Sequence, residues 1–369
     1  MKQLSMLLGL VLLGTMLGCA TGNPSGADAL KQSAKPAWSL KSSQDEMIVA
    51  TSPMRKTLQL AGSTGLIVGF SVDLVINSDY RDAVRQALNG YNTEEVFRSH
   101  VEQRLRETLP NGGRVQPLQS AAGYANEQEA RQARYRSLAR EGYDAVLDLR
   151  SRYGLFGTNV QLVTELDADL IAVPSGKKLW STTVFATPEP ALASDSLGNP
   201  QKKKRSSESA PQFSVDKAAF ARWTANNGEK LRAGFENGVK GVTDALLAEL
   251  GLVTSAQGEL YLGRIALSRE DFTEAKEHFE AALRIDPTLV EALSAQSVNY
   301  AQAGQVDIAV QLAQGITKSH PDFAPAWYNL AWWHAFDLDD PAAAKPFYAE
   351  AQRLGLPPDA KLEKAFQDQ

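Results

Sequence analysis

The C-terminal third of the chain repeats itself with one fixed period. Ala275 and Ala309 lie 34 residues apart, Ala309 and Ala343 are separated by the same distance, and so are Pro287 and Pro321. Self-similarity at a period of about 20 to 50 residues is typical of arrays in which similar supersecondary units stack on one another. We therefore expect this part of the chain to form an open stack of repeated units.

The residues at the recurring positions indicate that each unit is a pair of antiparallel helices. Ala275 is small enough to let two helices approach closely, and Phe279 is large enough to fill the space between neighbouring pairs. Pro287 ends the second helix because it has no N–H to donate. Together with the period, this pattern resembles the tetratricopeptide repeat. The resemblance implies an α-helical solenoid of three repeats over residues 256–357, with starts at Ala256, Val290 and Ala324, and a capping helix over residues 358–369.

The same resemblance implies where partners bind, because the first helices of such repeats line a concave groove. The implied groove residues are Arg264, Val298, Gln302, Tyr328, Trp332 and Phe336. The last three recur at a spacing of four residues, and aromatic side chains with an arginine nearby are typical of binding hot spots. The alternative is that this aromatic stripe packs internally, against residues 215–252 or the terminal helix at 359–366, because short arrays need capping. The sequence leaves both alternatives open.

The N-terminus predicts where the chain is delivered. Lys2 gives a short positive start, Leu4 to Leu17 carries no charge, and small residues surround Cys19, the only cysteine of the chain. A basic start with an apolar run of about 7 to 15 residues is typical of a secretion signal and is too short to span a membrane. The Gly18-Cys19 ending resembles the lipobox of bacterial lipoproteins.

This second resemblance implies that residues 1–18 are removed as a signal peptide and that a lipid such as palmitate is attached to Cys19. Because Ala20 rather than an aspartate follows the cysteine, it also implies anchoring in the outer membrane, with the protein facing the periplasm. The alternative is an ordinary signal peptide followed by an incidental thiol.

Composition divides the rest of the chain into further segments. We predict a flexible tether over residues 19–45, an α+β domain over 46–193, a disordered basic and Ser-rich loop over 194–213, and a connecting helix over 214–252. The tether and the loop are rich in Ser, Gly, Lys and Pro and show no sustained apolar period. The connecting helix has apolar residues at helical spacing from Leu231 onward, and we expect one or both neighbouring regions to bury them.

Residues 46–193 carry the pattern of an α/β sandwich with the order β-α-β-α-β-β-β. Leu66 to Ile76 is the first predicted strand, helices are predicted to open near Asn92 and Glu127, and residues 160–170 pair with 179–185 as a hairpin. Residues 168–181 combine a strand, a Gly-Lys turn and the run Leu-Trp-Ser. This combination resembles the periplasmic domains of the TolB amino-terminal type, which occur in lipoproteins that activate penicillin-binding proteins. The resemblance implies a periplasmic α+β fold.

Charge and motif content limit the chemistry that we expect. The formal net charge of −5 becomes −6 when Lys2 is removed with the signal, whereas nucleic-acid binding requires a basic face. The four histidines and the one cysteine show no metal-ligand spacing, and no phosphate loop or nucleophile motif occurs. We therefore predict no metal, no cofactor, no nucleic-acid partner and no enzymatic activity.

These features together predict a lipid-anchored periplasmic adaptor. It would bind protein partners of a cell-envelope machine, such as peptidoglycan synthesis, secretion or pilus assembly, through the repeats and the α+β domain. Two alternatives stay open. One is a carrier of a lipid or small molecule, with a pocket between the sheet and the helix at 215–252, and the other is an enzyme with a site at the Gly154–Gly157 hairpin tip.

Overall fold

The computed structural model describes residues 25–44, 46–50, 78–118, 125–157, 160–193 and 217–367 of the 369-residue chain. The described residues form a mixed sheet with helices on both faces, followed by a C-terminal array of helical pairs. This is the α+β fold with a helical solenoid that the sequence predicts. Cys19, the predicted strand from Leu66 to Ile76 and the predicted loop at 194–213 lie outside the described residues.

The part of the sheet that the structure describes has six strands: β1 (Pro36–Ser42), β2 (Ile48–Ala50), β3 (Gly113–Arg114), β4 (Ala145–Phe156), β5 (Gln161–Ala172) and β6 (Lys178–Ala186). Their order is β3-β1-β4-β5-β6, and β2 pairs with the far end of β4. β1 runs parallel to β3 and β4, whereas β4, β5 and β6 form an antiparallel meander. The sheet is therefore parallel on one side and antiparallel on the other.

The helices that accompany the sheet are α1 (Gly26–Lys31), α2 (Ser78–Ala87), α3 (Thr93–Thr108), α4 (Glu127–Arg140) and α5 (Lys217–Glu249). Side chains alternate between the two faces of a strand, so Leu147, Leu149 and Tyr153 of β4 enter one core with α2, α3 and α5. Tyr135 of α4 packs on Val146 at one end of the opposite face. The middle of that second face carries charged residues such as Arg150, Arg152 and Asp167, and its other end carries a small apolar cluster that includes Phe156 and Val163.

The predicted tether at residues 19–45 is corrected by the structure. Residues 36–42 form β1, which pairs with β4 from Pro36–Ala145 to Ser42–Ser151, and α1 precedes it. Ala37 and Trp38 are buried on opposite faces of the sheet, so this short segment is held by burial although its surroundings in the sequence are polar. The α+β region therefore begins well before the predicted boundary at residue 46.

Several other predicted elements form close to their predicted positions. The helices expected near Asn92 and Glu127 are α3 and α4, and each opens with an asparagine side chain that accepts a backbone N–H, Asn92 from Glu95 and Asn126 from Glu129. The hairpin of β5 and β6 is also present. β4 continues to Phe156, however, so the predicted hairpin tip at Gly154–Gly157 is mostly strand and the turn follows it.

Helix α5 lies directly on the sheet and is interrupted near its start. Asn226, Asn227 and Gly228 have φ values of 51°, 54° and 73°, which lie outside helical geometry. Beyond this break, the absence of a side chain at Gly238 brings the helix close to the sheet, because a Cβ there would lie 2.9 Å from Thr164 Oγ1. The helix predicted at 214–252 as a connector is thus also a core element of the sheet region.

The repeat array consists of α6 (Ala256–Ser268), α7 (Phe272–Ile285), α8 (Val290–Gln302), α9 (Val306–Ser319), α10 (Ala324–Trp332) and α11 (Pro341–Arg353), and α12 (Ala360–Gln367) follows. The first helices begin at Ala256, Val290 and Ala324, as the 34-residue period predicts. The pairs are tight, since a Cβ on Gly263 would lie 2.5 Å from the ring of Phe279. The predicted helical solenoid is confirmed, and the helices from α6 to α11 form three pairs.

The sheet region and the repeat array meet in one apolar cluster. Tyr261 and Ile265 of α6 belong to the same buried cluster as Val242 and Leu246 of α5. Gly241 of α5 approaches the ring of Tyr261 so closely that a Cβ would overlap it. The array is therefore attached to the sheet region through a buried surface, and α5 is common to both.

Candidate protein-binding groove

The first helices of the three repeats, α6, α8 and α10, carry five of the six predicted groove residues, and Phe336 lies in the π-helical turn Trp333–Asp337 that follows α10. Arg264 of α6 and Gln302 of α8 are half-buried. Val298 of α8 and Tyr328 of α10 are 1% and 3% exposed. The predicted residues therefore differ in accessibility, and two of them belong to the interior of the array.

A segment of the chain itself lies in this groove. Residues 187–193, which we call the strap, directly follow β6, and none of them is exposed. Arg264 Nη1 donates a hydrogen bond to the carbonyl oxygen of Thr187 over 3.0 Å. The Ala193 N–H donates to Oδ1 of Asn329 over 2.7 Å. The first and third repeats thus hold the two ends of the strap through its main-chain atoms.

Asn329 is the central polar residue of the groove. Its side chain is fully buried in α10, and its amide nitrogen lies 3.5 Å from Oγ of Ser294, which is fully buried in α8. This contact turns the carbonyl oxygen of the Asn329 side chain toward the strap. Because buried polar groups require hydrogen-bond partners, the strap satisfies an acceptor that would otherwise be left in an apolar environment.

The last residues of the strap pack on apolar side chains of the array. Ala193 is 3% exposed and joins a cluster that contains residues from all three first helices, among them Leu260, Val298 and Leu330. Ala191 packs against the same cluster. Leu192, between them, packs against a second cluster that includes Tyr328 and Ala331. Successive strap side chains therefore contact two different apolar surfaces of the array.

The predicted aromatic stripe packs largely inside the protein. Tyr328 donates its O–H to Oδ2 of Asp359 over 2.7 Å, and its ring stacks on Trp332 with centroids 6.2 Å apart. Lys361 of α12 places its Nζ 5.4 Å from the centre of the Trp332 ring. Phe336 is 42% exposed, and its ring centre lies 4.5 Å from that of Trp332. Of the two alternatives for the stripe, packing against the terminal helix is observed for Tyr328 and Trp332.

A second polar feature lies on the charged face of the sheet. Arg152 of β4 donates from Nε to Oε1 of Glu165 of β5 over 2.6 Å. Glu165 is fully buried, and within the described part of the chain its Oε2 has no hydrogen-bond partner. Burial raises the pKa of Glu165 to about 7, although the nearby Arg152 guanidinium acts to lower it. This carboxyl therefore changes its charge near neutral pH.

A third set of titratable residues lies where α5 meets the array. His278 Nδ1 is 2.7 Å from Oε2 of Glu259. Burial acts to lower the pKa of His278, but its hydrogen bond to Glu259 and the charge of Glu259 outweigh burial and raise that pKa. Burial also raises the pKa of Glu249 at the end of α5. These residues contribute to the junction between the two regions.

Neither a metal-binding cluster nor a membrane-crossing helix occurs in the described part of the chain. No three or more His, Cys, Asp or Glu side chains in the described ranges are arranged to hold a metal ion. Among the helices within those ranges, none combines the length and the apolar character that a membrane crossing requires.

Sequence reasoning missed the strap and its partner Asn329. Pro188 and Pro190 follow directly after β6, and prolines are the residues that a strand interior excludes, so a local signal for the end of the strand exists. No comparable signal in the sequence indicates which residues the strap contacts. Asn329 lies 136 residues from Ala193 along the chain, and only the folded structure brings the two together.

Comparison with known families agrees with the geometry of the array. Residues 266–331 match the family model described as tetratricopeptide repeat. The match begins inside α6 and ends inside α10, so it covers parts of all three repeats. No curated protein matches the chain. Tetratricopeptide repeats are non-catalytic modules that mediate protein–protein interaction, and residues 266–331 are the part of this chain that is similar to them.

Proposed function

We propose that this protein is an adaptor whose repeat array binds segments of partner proteins. The observation that carries the proposal is that the groove binds a polypeptide main chain, since Arg264 contacts a carbonyl oxygen and Asn329 contacts an N–H of the strap. Hydrogen bonds to the main chain contribute affinity, whereas the surrounding apolar pockets select side chains. The match to a protein-interaction repeat supports the same conclusion.

We further propose that a lipid on Cys19 anchors the adaptor in the outer membrane, facing the periplasm. The support is the sequence of the N-terminus, in which Lys2 and an uncharged apolar run precede Gly18-Cys19. Each buried CH2 of an acyl chain contributes about 0.8 kcal/mol to membrane binding, so several chains hold a protein firmly. Labelled palmitate should enter the wild-type protein and not Cys19→Ser, which should leave the membrane fraction. An unlabelled wild-type protein would contradict the anchor.

The partners that we propose are components of a cell-envelope machine, such as peptidoglycan synthesis, secretion or pilus assembly. The resemblance of residues 168–181 to domains of the TolB amino-terminal type supports an envelope role. In this proposal the sheet region contributes a second protein-binding surface beside the array. No metal, cofactor or nucleic acid takes part.

Site-specific photo-crosslinking in living cells tests the adaptor role. A photoreactive phenylalanine analogue at Phe336 reports on the exposed end of the aromatic stripe, since that residue is 42% exposed and contacts Trp332. The same analogue at Ile285, which is 45% exposed at the end of the second helix α7, is the matched control. We expect discrete protein adducts from position 336 and not from 285. The absence of protein adducts from both positions would contradict the proposal.

The carrier alternative requires a pocket between the sheet and α5, and the packing there gives it no support. Gly234 and Gly238 bring α5 against β5, because a Cβ at Gly234 would lie 3.2 Å from the side chain of Leu162. A Cβ at Gly238 would lie 2.9 Å from the side chain of Thr164. Phe235, between the two glycines, is fully buried in the same core. We therefore do not propose a carrier function.

A further inference from the structure

We infer that the strap is an internal ligand of the groove, and that the groove's external partner presents a segment of the same chemistry. That chemistry is a short proline-containing stretch followed by small apolar residues, as in the strap sequence Thr-Pro-Glu-Pro-Ala-Leu-Ala of residues 187–193. The inference rests on the proposed function of the groove as a protein-binding site. It adds the class of segment that binds there and the requirement that the strap leaves first.

The hydrogen bonds of the strap are of a kind that a separate polypeptide can reproduce. Arg264 binds a carbonyl oxygen and Asn329 binds an N–H, and every residue except proline offers both groups. Asn329 is buried, so an empty groove leaves its side-chain oxygen without this partner. The strap, or a partner segment with an N–H at the position of Ala193, supplies this hydrogen bond.

The apolar contacts restrict which side chains fit. Ala193 is 3% exposed and belongs to the buried cluster that includes Leu260, Val298 and Leu330, so a larger or charged residue at this position meets an apolar interior. Leu192 is larger and contacts the separate cluster around Tyr328. A partner segment should therefore carry a small residue at the position of Ala193 and an aliphatic one directly before it.

The middle of the strap is held more weakly than its ends. The carboxylate of Glu189 lies 3.9 Å from Arg222 and 3.6 Å from Lys230, both on α5. All three side chains are about one-third to one-half exposed, and exposed ion pairs of this kind contribute about 0 to 1 kcal/mol. Release of the strap therefore depends mainly on the contacts around Asn329 and Ala193.

An opened variant tests the inference directly. Ala193→Asp places a charge among apolar side chains, which should expel the strap from the groove of the full-length protein. The probe is a fluorescent peptide with the sequence of residues 187–193, blocked at both ends. We expect it to bind the opened variant at least about tenfold more tightly than the wild type. The reason is that the apparent affinity for the peptide is proportional to the fraction of protein molecules whose groove is open. Adding Asn329→Ala to the opened variant should weaken peptide binding about tenfold.

Two controls keep the test decisive. A peptide with glutamate in place of its last alanine should bind the opened variant at least about tenfold less well, since the charge meets the apolar cluster. If Ala193→Asp does not fold, replacement of residues 188–193 by a Gly-Ser sequence opens the groove without a buried charge. A folded opened variant that does not bind the peptide, or that binds both peptides equally, would overturn the inference.

The result of the peptide-binding test can be distinguished from the result of the crosslinking test of the proposed function. Peptide binding to the opened variant without any crosslinked partner in cells would contradict the adaptor role and leave the internal ligand intact. Crosslinked partners without peptide binding would do the reverse, and would make the strap a purely structural connection.

Discussion

The repeat array and the sheet region are stabilised by contacts of different range along the chain. In the array, tight contacts join neighbouring helices, as between Gly263 and Phe279 of one repeat. In the sheet, β1 pairs with β4, and Ser39 bonds Asp148 across 109 residues. Local contacts impose a period on the sequence, whereas long-range pairing does not. This difference explains why the starts of the first helices in the array could be predicted to the residue and the sheet only in outline.

The sheet region and the array also contact each other at two places. α5 fills the core of the sheet region and, through Gly241 and Tyr261, contacts the first helix of the array. The strap makes a second connection between β6 and the groove. We therefore expect the two regions to unfold together, although they are built on different principles.

The largest expected effect comes from removing one large aromatic side chain from each region. Phe235 and Phe279 are both fully buried, and replacement of either by alanine should lower the free energy of unfolding by about 3 to 5 kcal/mol. Because α6 of the array packs into the core of the sheet region, each variant should destabilise both regions in one transition. Urea unfolding followed by circular dichroism and by tryptophan fluorescence measures this. Two separate transitions in either variant would show that the regions are independent.

The pH dependence of the unfolding free energy tests a residue on the charged face of the sheet against a control residue in the array. Burial raises the pKa of Glu165 to about 7, so between about pH 4.5 and 7 the folded state retains a proton that the unfolded state releases. Stability contributed by this group is therefore complete at low pH and lost as the pH rises, by up to about 3 kcal/mol. Glu165→Gln should flatten the slope of unfolding free energy against pH in this range. Glu277→Gln, at an exposed position of α7, is the control, and equal slopes in both variants would contradict the assignment.

Alanine substitutions at two glycines compare the closely packed junction with an open position in the array. A Cβ at Gly241 would overlap the ring of Tyr261, so Gly241→Ala should destabilise the protein by about 1 to 3 kcal/mol. No atom lies within 4 Å of a Cβ at Gly315 in α9, so Gly315→Ala should stabilise it by about 0.5 to 1 kcal/mol. Thermal denaturation of both variants measures the difference. If Gly241→Ala leaves the protein as stable as Gly315→Ala does, the close contact at Gly241 is contradicted.

The smallest expected effect concerns the end of the array. Tyr328 donates to Oδ2 of Asp359, and the other oxygen of that carboxylate accepts the N–H groups of Lys361 and Leu362 at the start of α12. Tyr328→Phe should therefore cost about 1 kcal/mol and accelerate amide exchange in α12. Exchange in β4 should not change. An unaltered exchange rate in α12 would show that Tyr328 does not anchor the terminal helix.

The sequence predicted some features of the fold and of the groove better than others. The repeat starts at Ala256, Val290 and Ala324 followed from the period, because each helical pair repeats the same contacts. β1 was missed, since its two buried hydrophobic residues, Ala37 and Trp38, are too few to mark a strand among polar neighbours. Arg264 was predicted as a groove residue and does contact the strap. Asn329 was not, because its role depends on Ala193, a residue far away in the sequence.

Amide hydrogen exchange at Ala193 tests most directly whether the strap fills the groove. The Ala193 N–H donates to buried Asn329, so it should exchange slowly in the wild-type protein, and Asn329→Ala should make that exchange much faster. Rapid exchange at Ala193 in the folded wild-type protein, at the rate of an unstructured peptide, would contradict the account.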